Sequence, residues 1–269
     1  MAPMGTVEDL FVQARHGRLF VRVWRGPEEA WHRAPLILLH DSLGCVALWR
    51  DFPARLAAAL GRPVIAYDRL GFGRSDPHPG QLDVDFVRAE AEGGLRTVLE
   101  ALAVHEFIAF GHSVGGGMAV GAAVALPGRC HALITESAQA FVEDMTRTGI
   151  AQAEADFQRP GQLEKLEKYH GAKAAWVLRS WVDTWLSPAF ASWQLDDDLR
   201  RVRCPTLALH GDRDEYGSVL HPQRIAQLTG GTAVVLAACG HVPHREHTEV
   251  VMATVREWLA NRARSHLSA

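Results

Sequence analysis

The hydrophobic positions of this chain form short apolar runs that are separated by longer amphipathic stretches. Residues 35–39 and 63–67 are two such runs, and their length and lack of alternation are typical of strands buried on both faces of a parallel sheet. Similar runs occupy residues 107–110, 132–135, 206–209 and 233–236. The repeated strand–helix unit predicts an α/β fold, with a mostly parallel β-sheet and helices on both of its faces.

Helices are predicted between these runs from their amphipathic spacing. The final helix, over residues 249–263, places Val251, Val255, Trp258 and Leu259 on one apolar stripe that would pack on the sheet. The other helices are predicted over residues 47–60, 83–102 and 114–125. Near the N-terminus, β-like residues 8–14 and 18–24 instead predict a hairpin at one edge of the sheet.

One long region breaks the strand–helix alternation. Between residues 140 and 201 the strand pattern stops, and helical segments are separated by turn signals at Pro160-Gly161, His170-Gly171 and Ser187-Pro188. We interpret residues 140–201 as a helical cap over the carboxyl edge of the sheet, where open α/β sheets bind ligands. The main domain is then formed by residues 1–139 and 202–269.

Composition narrows the classes of function. The 269 residues carry a formal net charge of −3, with 48% hydrophobic and 22% charged residues, which argues against a disordered chain and against a nucleic-acid-binding protein. We expect a small, largely apolar molecule as the partner. The N-terminus lacks a secretory pattern and no apolar run reaches about 20 residues, so we expect a cytoplasmic protein without a membrane partner. The four cysteines are widely spaced, which favours free thiols over a metal or disulfide site.

The strongest chemical signal is the segment Gly111-His112-Ser113-Val114-Gly115. It matches the nucleophile-elbow pattern G-x-S-x-G and stands between an apolar strand and a helix, which is the context that this pattern requires. Glycines on either side of the turn leave room for the neighbouring backbone. We therefore predict that Ser113 is a catalytic nucleophile.

A serine nucleophile needs a histidine base, and the histidine needs a carboxylate that orients it. His241 follows a late strand and precedes the last helix, so it is the candidate base. Asp212 and Asp214 both follow the strand at residues 206–209, and the residues alone do not choose between them. No histidine pair shows metal-ligand spacing, so we predict neither a metal nor a cofactor.

Five segments together resemble the α/β-hydrolase superfamily in order and spacing. They are residues 39–44, 67–75, 111–115, 211–214 and 240–241. The resemblance covers nearly the whole chain outside the cap and implies the α/β-hydrolase fold. It implies that Asp214, three residues after Gly211, is the catalytic acid, and Glu246 matches a glutamate common in the family five residues after the histidine. Because some relatives take the acid from an earlier strand, Glu136 is a third candidate.

The same chemistry requires an oxyanion hole, usually built from two backbone N–H groups. The N–H of Val114, directly after the nucleophile, is one candidate. The resemblance implies that the second donor is the N–H of Ser42. The family most often has glycine where this chain has Asp41, so the charge beside the oxyanion hole, and with it the substrate preference, is open.

The cap offers candidate substrate contacts. Trp181 and Trp185 are four residues apart on one helical face and could line a pocket, although such a face could equally pack on the main domain. Residues 168–171 with Trp176 and Trp181 are similar to the cap of biphenyl-hydrolase-like enzymes. The prodrug hydrolases among them have an acidic residue after the nucleophile, where this chain has Val114, so we expect neutral esters to be preferred over α-amino esters.

Three functions are consistent with these residues. The first is hydrolysis of a small, largely apolar carboxylic ester by a serine carboxylesterase, EC 3.1.1, through an acyl-enzyme. The second is cleavage of an enol-lactone or a carbon–carbon bond in aromatic degradation, and Val242 lowers the carbon–carbon option because those enzymes usually carry Trp after the histidine. The third is a non-catalytic ligand-binding module, because fold does not imply function.

Overall fold

A computed structural model describes residues 6–26 and 32–266, with side chains described up to residue 262. Its centre is an eight-stranded sheet in the order β1-β2-β4-β3-β5-β6-β7-β8. Strand β2 pairs antiparallel with both of its neighbours, β1 and β4, and all the other pairs are parallel. The strands are β1 Val7–Ala14, β2 Gly17–Trp24, β3 Leu36–Leu39, β4 Val64–Tyr67, β5 Phe107–His112, β6 Cys130–Glu136, β7 Thr206–Gly211 and β8 Thr232–Leu236. The predicted α/β fold and the edge hairpin are confirmed.

The helices follow the prediction with three local differences. They are α1 Phe52–Leu60, α2 Phe86–Glu92, α3 Gly94–Ala101, α4 Val114–Ala125, α5 Asp144–Phe157, α6 Leu163–His170, α7 Ala174–Trp185, α8 Asp196–Arg201, α9 Leu220–Thr229, α10 Pro243–Glu246 and α11 Thr248–His266. The helix predicted over residues 83–102 is divided into α2 and α3, because Gly93 adopts non-helical angles (φ −96°, ψ −103°). The helix predicted over residues 47–60 begins as a separate 3₁₀ turn, Val46–Trp49. Helices α9 and α10 were not predicted.

Two hydrophobic clusters cover the two faces of the sheet. On one face α1 and α11 bury Phe52, Leu56, Val251 and Val255, and Trp258 packs partly buried against them. On the other face α3 and α4 contribute buried side chains, among them Leu95, Val98 and Met118. This arrangement buries β3 and β5 from both sides, which is why their sequences are continuously apolar.

Helices α5 to α8 lie between β6 and β7 in the chain, in the region predicted to be a cap. An antiparallel bridge between Phe141 and Gln194, together with a hydrogen bond from Leu195 N to Ala140 O (2.8 Å), joins the two ends of this region. We use the name cap for residues 140–201, and its status as a separate domain stays a prediction. In the described part of the chain, no helix is both long and apolar enough to cross a membrane.

Candidate active site

Ser113 lies at the turn between β5 and α4. Its backbone has φ 55° and ψ −125°, a strained conformation for a residue with a side chain. The turn also requires close backbone contacts: a Cβ atom at Gly111 would lie 2.0 Å from Gly115 O, and one at Gly115 would lie 2.1 Å from Leu39 O. The sequence therefore folds into the predicted elbow because only glycine fits at these two positions.

His241 and Asp214 form a close pair beside this elbow. His241 Nδ1 lies 2.8 Å from both carboxylate oxygens of Asp214, whose side chain is fully buried. The N–H of Tyr216 also donates to Asp214 Oδ1 (2.8 Å). Burial raises the pKa of Asp214, but the hydrogen bond and the charge of His241 outweigh it and bring this pKa below its ordinary value. The carboxylate is therefore an anion that can orient the imidazole and stabilise its protonated form.

The other two candidate acids lie elsewhere. Asp212 is exposed, and its Oδ1 accepts a hydrogen bond from Cys239 N (3.2 Å). Glu136 is buried, and its Oε2 lies 2.5 Å from Nδ1 of His244, three residues beyond the candidate base. Of the three carboxylates, the structure brings only Asp214 to His241.

The peptide between Asp41 and Ser42 is held in a fixed orientation. The carbonyl oxygen of Asp41 accepts hydrogen bonds from His40 Nδ1 (2.8 Å), Arg69 Nη2 (2.8 Å) and Gly44 N (3.3 Å). In a trans peptide the N–H points away from the carbonyl, so the N–H of Ser42 points away from these groups. Neither this N–H nor that of Val114 donates a hydrogen bond within the described residues. Both remain available to an oxyanion.

A cavity of about 80 Å³ connects these groups. The predicted site residues that line it are Asp41, Ser42, Ser113, Trp181, Trp185 and His241. Sequence reasoning missed the other lining residues, which are Leu43, Gln139, Thr146, Ile150 and Tyr216. Leu43 lies in the segment 39–44 but was not identified as a site residue, and no local motif marks the other four, because they come from separate loops and from the cap.

Trp185 lines the cavity and also packs within the cap itself. It is 2% exposed, and its ring packs on Phe190 and Trp193. Trp181 lines the cavity with its ring edge against Tyr216, and Tyr216 in turn contacts His241. Trp176 instead donates a hydrogen bond to Gly80 O (2.8 Å), away from the cavity lining.

The cap is also bonded to the oxyanion loop, residues 40–44. His170 Nδ1 accepts a hydrogen bond from Gly73 N (2.9 Å), and His170 Nε2 lies 3.0 Å from Leu43 O. Burial lowers the pKa of His170, which favours the neutral tautomer that these two bonds require. Sequence reasoning did not identify this contact, although residues 168–171 were part of the cap similarity.

One cluster has residue types that could bind a metal. His112, Glu136 and His244 are buried, and one ligand atom of each lies within 4.8 Å of the others. Glu136 Oε2 and His244 Nδ1 are 2.5 Å apart, however, whereas two ligand atoms about 2.0–2.1 Å from one zinc ion lie more than 3 Å apart. Glu136 and His244 thus form a hydrogen-bonded pair beside His112, and the three residues do not fit a metal without rearrangement.

Comparison with known proteins gives the family. The sequence profile of the alpha/beta hydrolase family matches residues 36–254, which include the elbow, Asp214 and His241. This chain belongs to the alpha/beta hydrolase family. The match extends from β3 into α11 and so includes the inserted helices of the cap.

Individual relatives of this alpha/beta hydrolase are distant. The chain is 27% identical over 260 residues to 2-hydroxymuconate semialdehyde hydrolase from Pseudomonas sp. (strain CF600), covering 84% of this chain and 87% of the relative. It is 32% identical over 112 residues to human 1-acylglycerol-3-phosphate O-acyltransferase ABHD5, covering 42% of this chain and only 32% of that protein. Its fold resembles that of a thermophilic esterase from Thermogutta terrifontis, with a TM-score of 0.70, 21% identity and coverage of 94% and 98%.

Proposed function

We propose that this alpha/beta hydrolase is a serine carboxylesterase, EC 3.1.1, that cleaves small, largely apolar esters through an acyl-enzyme on Ser113. The observation that carries the proposal is the convergence of Ser113 and the Asp214–His241 pair on one cavity, beside the N–H group of Ser42. Each of these groups has a separate role in acyl transfer, and this chemistry requires no cofactor.

In the proposed first half-reaction, Ser113 Oγ attacks the ester carbonyl and His241 Nε2 takes the hydroxyl proton. Asp214 stabilises the imidazolium that forms, because its carboxylate faces Nδ1. The N–H groups of Ser42 and Val114 donate to the oxyanion of the tetrahedral intermediate. Loss of one such donor costs about 3 kcal/mol in other serine hydrolases.

The first half-reaction ends when His241 returns the proton to the leaving alcohol, as the ester C–O bond breaks and the acyl-enzyme forms on Ser113. The second half-reaction starts from this acyl-enzyme and a neutral His241. A water molecule then attacks the acyl-enzyme, His241 takes the proton of this water, and the carboxylic acid leaves as Ser113 regains its hydrogen. Because His241 must accept a proton in both halves, the neutral imidazole is the active form at the start of each.

The residues that line the cavity favour a substrate with a short, uncharged acyl group. Leu43, Ile150 and the two cap tryptophans supply apolar surface to this small cavity. Asp41 is the charged lining residue on the oxyanion loop, but its carboxylate lies 3.4 Å from His112. With that neighbour, Asp41 offers an α-ammonium group an already paired carboxylate, so we expect neutral esters to be preferred.

Gln139 adds a polar contact to this apolar lining. Its side chain is 3% exposed, it lines the cavity, and its Oε1 has no hydrogen-bond partner within the part of the chain that the structure describes. A buried polar atom without a partner costs about 1–3 kcal/mol. We infer that a hydroxyl group in the acyl chain of the substrate donates a hydrogen bond to Gln139 Oε1.

Gln139→Leu should therefore change selectivity between two acyl chains of equal length. We expect the ratio of kcat/KM for 4-nitrophenyl 3-hydroxypropionate to that for 4-nitrophenyl butanoate to fall about three- to tenfold, since one hydrogen bond is lost. Gln152→Leu, an exposed position on α5, is the control and should leave the ratio unchanged. An equal effect of Gln139→Leu on both esters would remove the amide from the substrate contacts.

A second candidate function is cleavage of an enol-lactone or a carbon–carbon bond. The observation in its favour is the similarity, along most of the chain, to 2-hydroxymuconate semialdehyde hydrolase. The same serine, histidine and oxyanion groups would serve this reaction. The cytoplasmic location expected from the sequence stays a prediction in either case.

A fluorophosphonate probe separates a serine hydrolase from a ligand-binding module. We expect the native protein to be labelled at Ser113, as located by peptide mass spectrometry, and to hydrolyse 4-nitrophenyl esters faster than enol-lactones or vinylogous diketones. Faster turnover of either of the last two substrates would favour the second candidate. Absence of both labelling and turnover would leave only the binding module.

A further inference from the structure

Asp41 joins the cavity to a buried polar cluster behind the nucleophile. Its side chain is 28% exposed and lines the cavity. One carboxylate oxygen, Oδ1, accepts a hydrogen bond from Leu43 N (3.1 Å), and the other, Oδ2, lies 3.4 Å from Nδ1 of His112. The residue that replaces the glycine most common in the family therefore contacts the residue directly before Ser113.

His112 has an oxygen acceptor at each ring nitrogen. Its Nε2 lies 2.8 Å from the backbone oxygen of His241, and its Nδ1 faces the carboxylate of Asp41. A neutral imidazole carries only one N–H, so only the imidazolium form can donate to both acceptors. The ring is 2% exposed, and a buried cation requires a partner of opposite charge, which Asp41 supplies.

Several titratable groups face His112. The carboxylates are those of Asp41 and Glu136, and the rings of His241 and His244 lie with centroids 5.1 Å and 5.0 Å away. Burial lowers the pKa of His112, but the hydrogen bond and charge of Asp41 and the charge of Glu136 outweigh it and bring this pKa above its ordinary value. The pKa of Asp41 lies below its ordinary value, because the contact with His112 outweighs burial.

We propose that Asp41 is a positioning residue that keeps His112 in the imidazolium form, and that His112 thereby ties the backbone of His241 to the oxyanion loop. This inference rests on the proposed serine-hydrolase function. Loops that follow three different strands, β3, β5 and β8, supply Asp41, the elbow and His241. The Asp41–His112 pair thus connects the base, the nucleophile and an oxyanion donor by contacts that do not involve the substrate.

The pair has a defined pH dependence. Because the pKa of His112 is raised in the folded protein, the proton that the pair requires is kept to a higher pH than in a free imidazole and is lost as the pH rises through that pKa. When His112 loses this proton, it can no longer donate to both the Asp41 carboxylate and the His241 carbonyl. The loop that carries His241 is then no longer tied to the oxyanion loop. We therefore expect an alkaline limb in the profile of kcat against pH that reports His112.

The test replaces Asp41 with asparagine, which keeps the side-chain shape and the acceptor for Leu43 N but removes the charge. We expect Asp41→Asn to lower kcat about tenfold, because small displacements of a catalytic group are costly, and to change KM much less. The alkaline limb should move to lower pH by about one unit or more, since burial lowers the His112 pKa and the largest opposing contribution, that of Asp41, is removed. Asp51→Asn, at a carboxylate that is 74% exposed, is the control and should leave both quantities unchanged.

Nitrogen NMR of the histidine rings gives a readout that does not depend on activity. His112, assigned by comparison with His112→Gln, should be doubly protonated at pH 7 in the native protein and neutral in Asp41→Asn. A neutral His112 in the native protein would overturn the proposal, and so would an Asp41→Asn variant with an unmoved alkaline limb or an increased kcat. Failure of the serine-hydrolase function would appear separately, as a native protein without labelling or turnover.

Discussion

Replacing Ser113 with alanine is expected to lower kcat for ester hydrolysis at least about 10³-fold, because the acyl-enzyme can no longer form. The Ser113→Ala variant should also no longer be labelled by a fluorophosphonate. The variant should fold, since alanine and serine differ by one hydroxyl group and both bear the same strain at φ 55°. Rates with 4-nitrophenyl esters, intact-protein mass spectra after labelling and a thermal unfolding curve measure the three effects.

Ser137 provides a matched control for this substitution. It is also a buried serine with a positive φ, 48°, at the end of a neighbouring strand, but it does not line the cavity. Ser137→Ala should therefore keep its activity within a few fold of the native protein. A Ser113→Ala variant that retained more than a tenth of the native rate would show that another group performs the nucleophilic attack.

Asp214→Asn is expected to lower kcat by about 10²- to 10⁴-fold, the range that follows from losing the correct tautomer and the stabilised imidazolium. Both carboxylate oxygens of Asp214 lie 2.8 Å from Nδ1 of His241. An asparagine amide carries no negative charge, so it cannot stabilise the imidazolium in the same way. The substitution should affect kcat more than KM, because Asp214 contacts His241 and does not line the cavity.

Asp212→Asn is the control for this prediction, since it makes the same chemical change two residues away. Its Oδ1 acceptor for Cys239 N is retained by asparagine, and its side chain is exposed, so we expect a change of less than about threefold. The reverse outcome, a crippled Asp212→Asn and a nearly normal Asp214→Asn, would show that the loop after β7 takes a different path in the working enzyme.

The sequence alone determined the architecture and identified two of the proposed reacting groups, Ser113 and His241. Apolar runs at residues 35–39, 107–110 and 206–209 indicate buried parallel strands, because a strand covered on both faces has no polar side to display. The elbow at Ser113 is equally local, since its close contacts are made by glycines two residues away. His241 was found from its place after a late strand.

The choice of the acid shows where local signals become insufficient. Asp212, Asp214 and Glu136 all follow strand ends, and family spacing favoured Asp214. Only the folded loop shows that Asp214 is buried against His241, while Asp212 is exposed and Glu136 contacts His244. The burial of a carboxylate and its hydrogen-bond partner decide its chemistry, and the residues next to it in the sequence reveal neither.

Tertiary structure alone decided the composition of the cavity and the contacts behind the nucleophile. Gln139 follows β6, Ile150 lies on a cap helix and Tyr216 follows β7, and no sequence pattern relates them. The link from Asp41 through His112 to the His241 carbonyl joins residues up to 200 positions apart. Such contacts are set by the register of the parallel strands and the paths of their loops, because periodicity describes one element at a time.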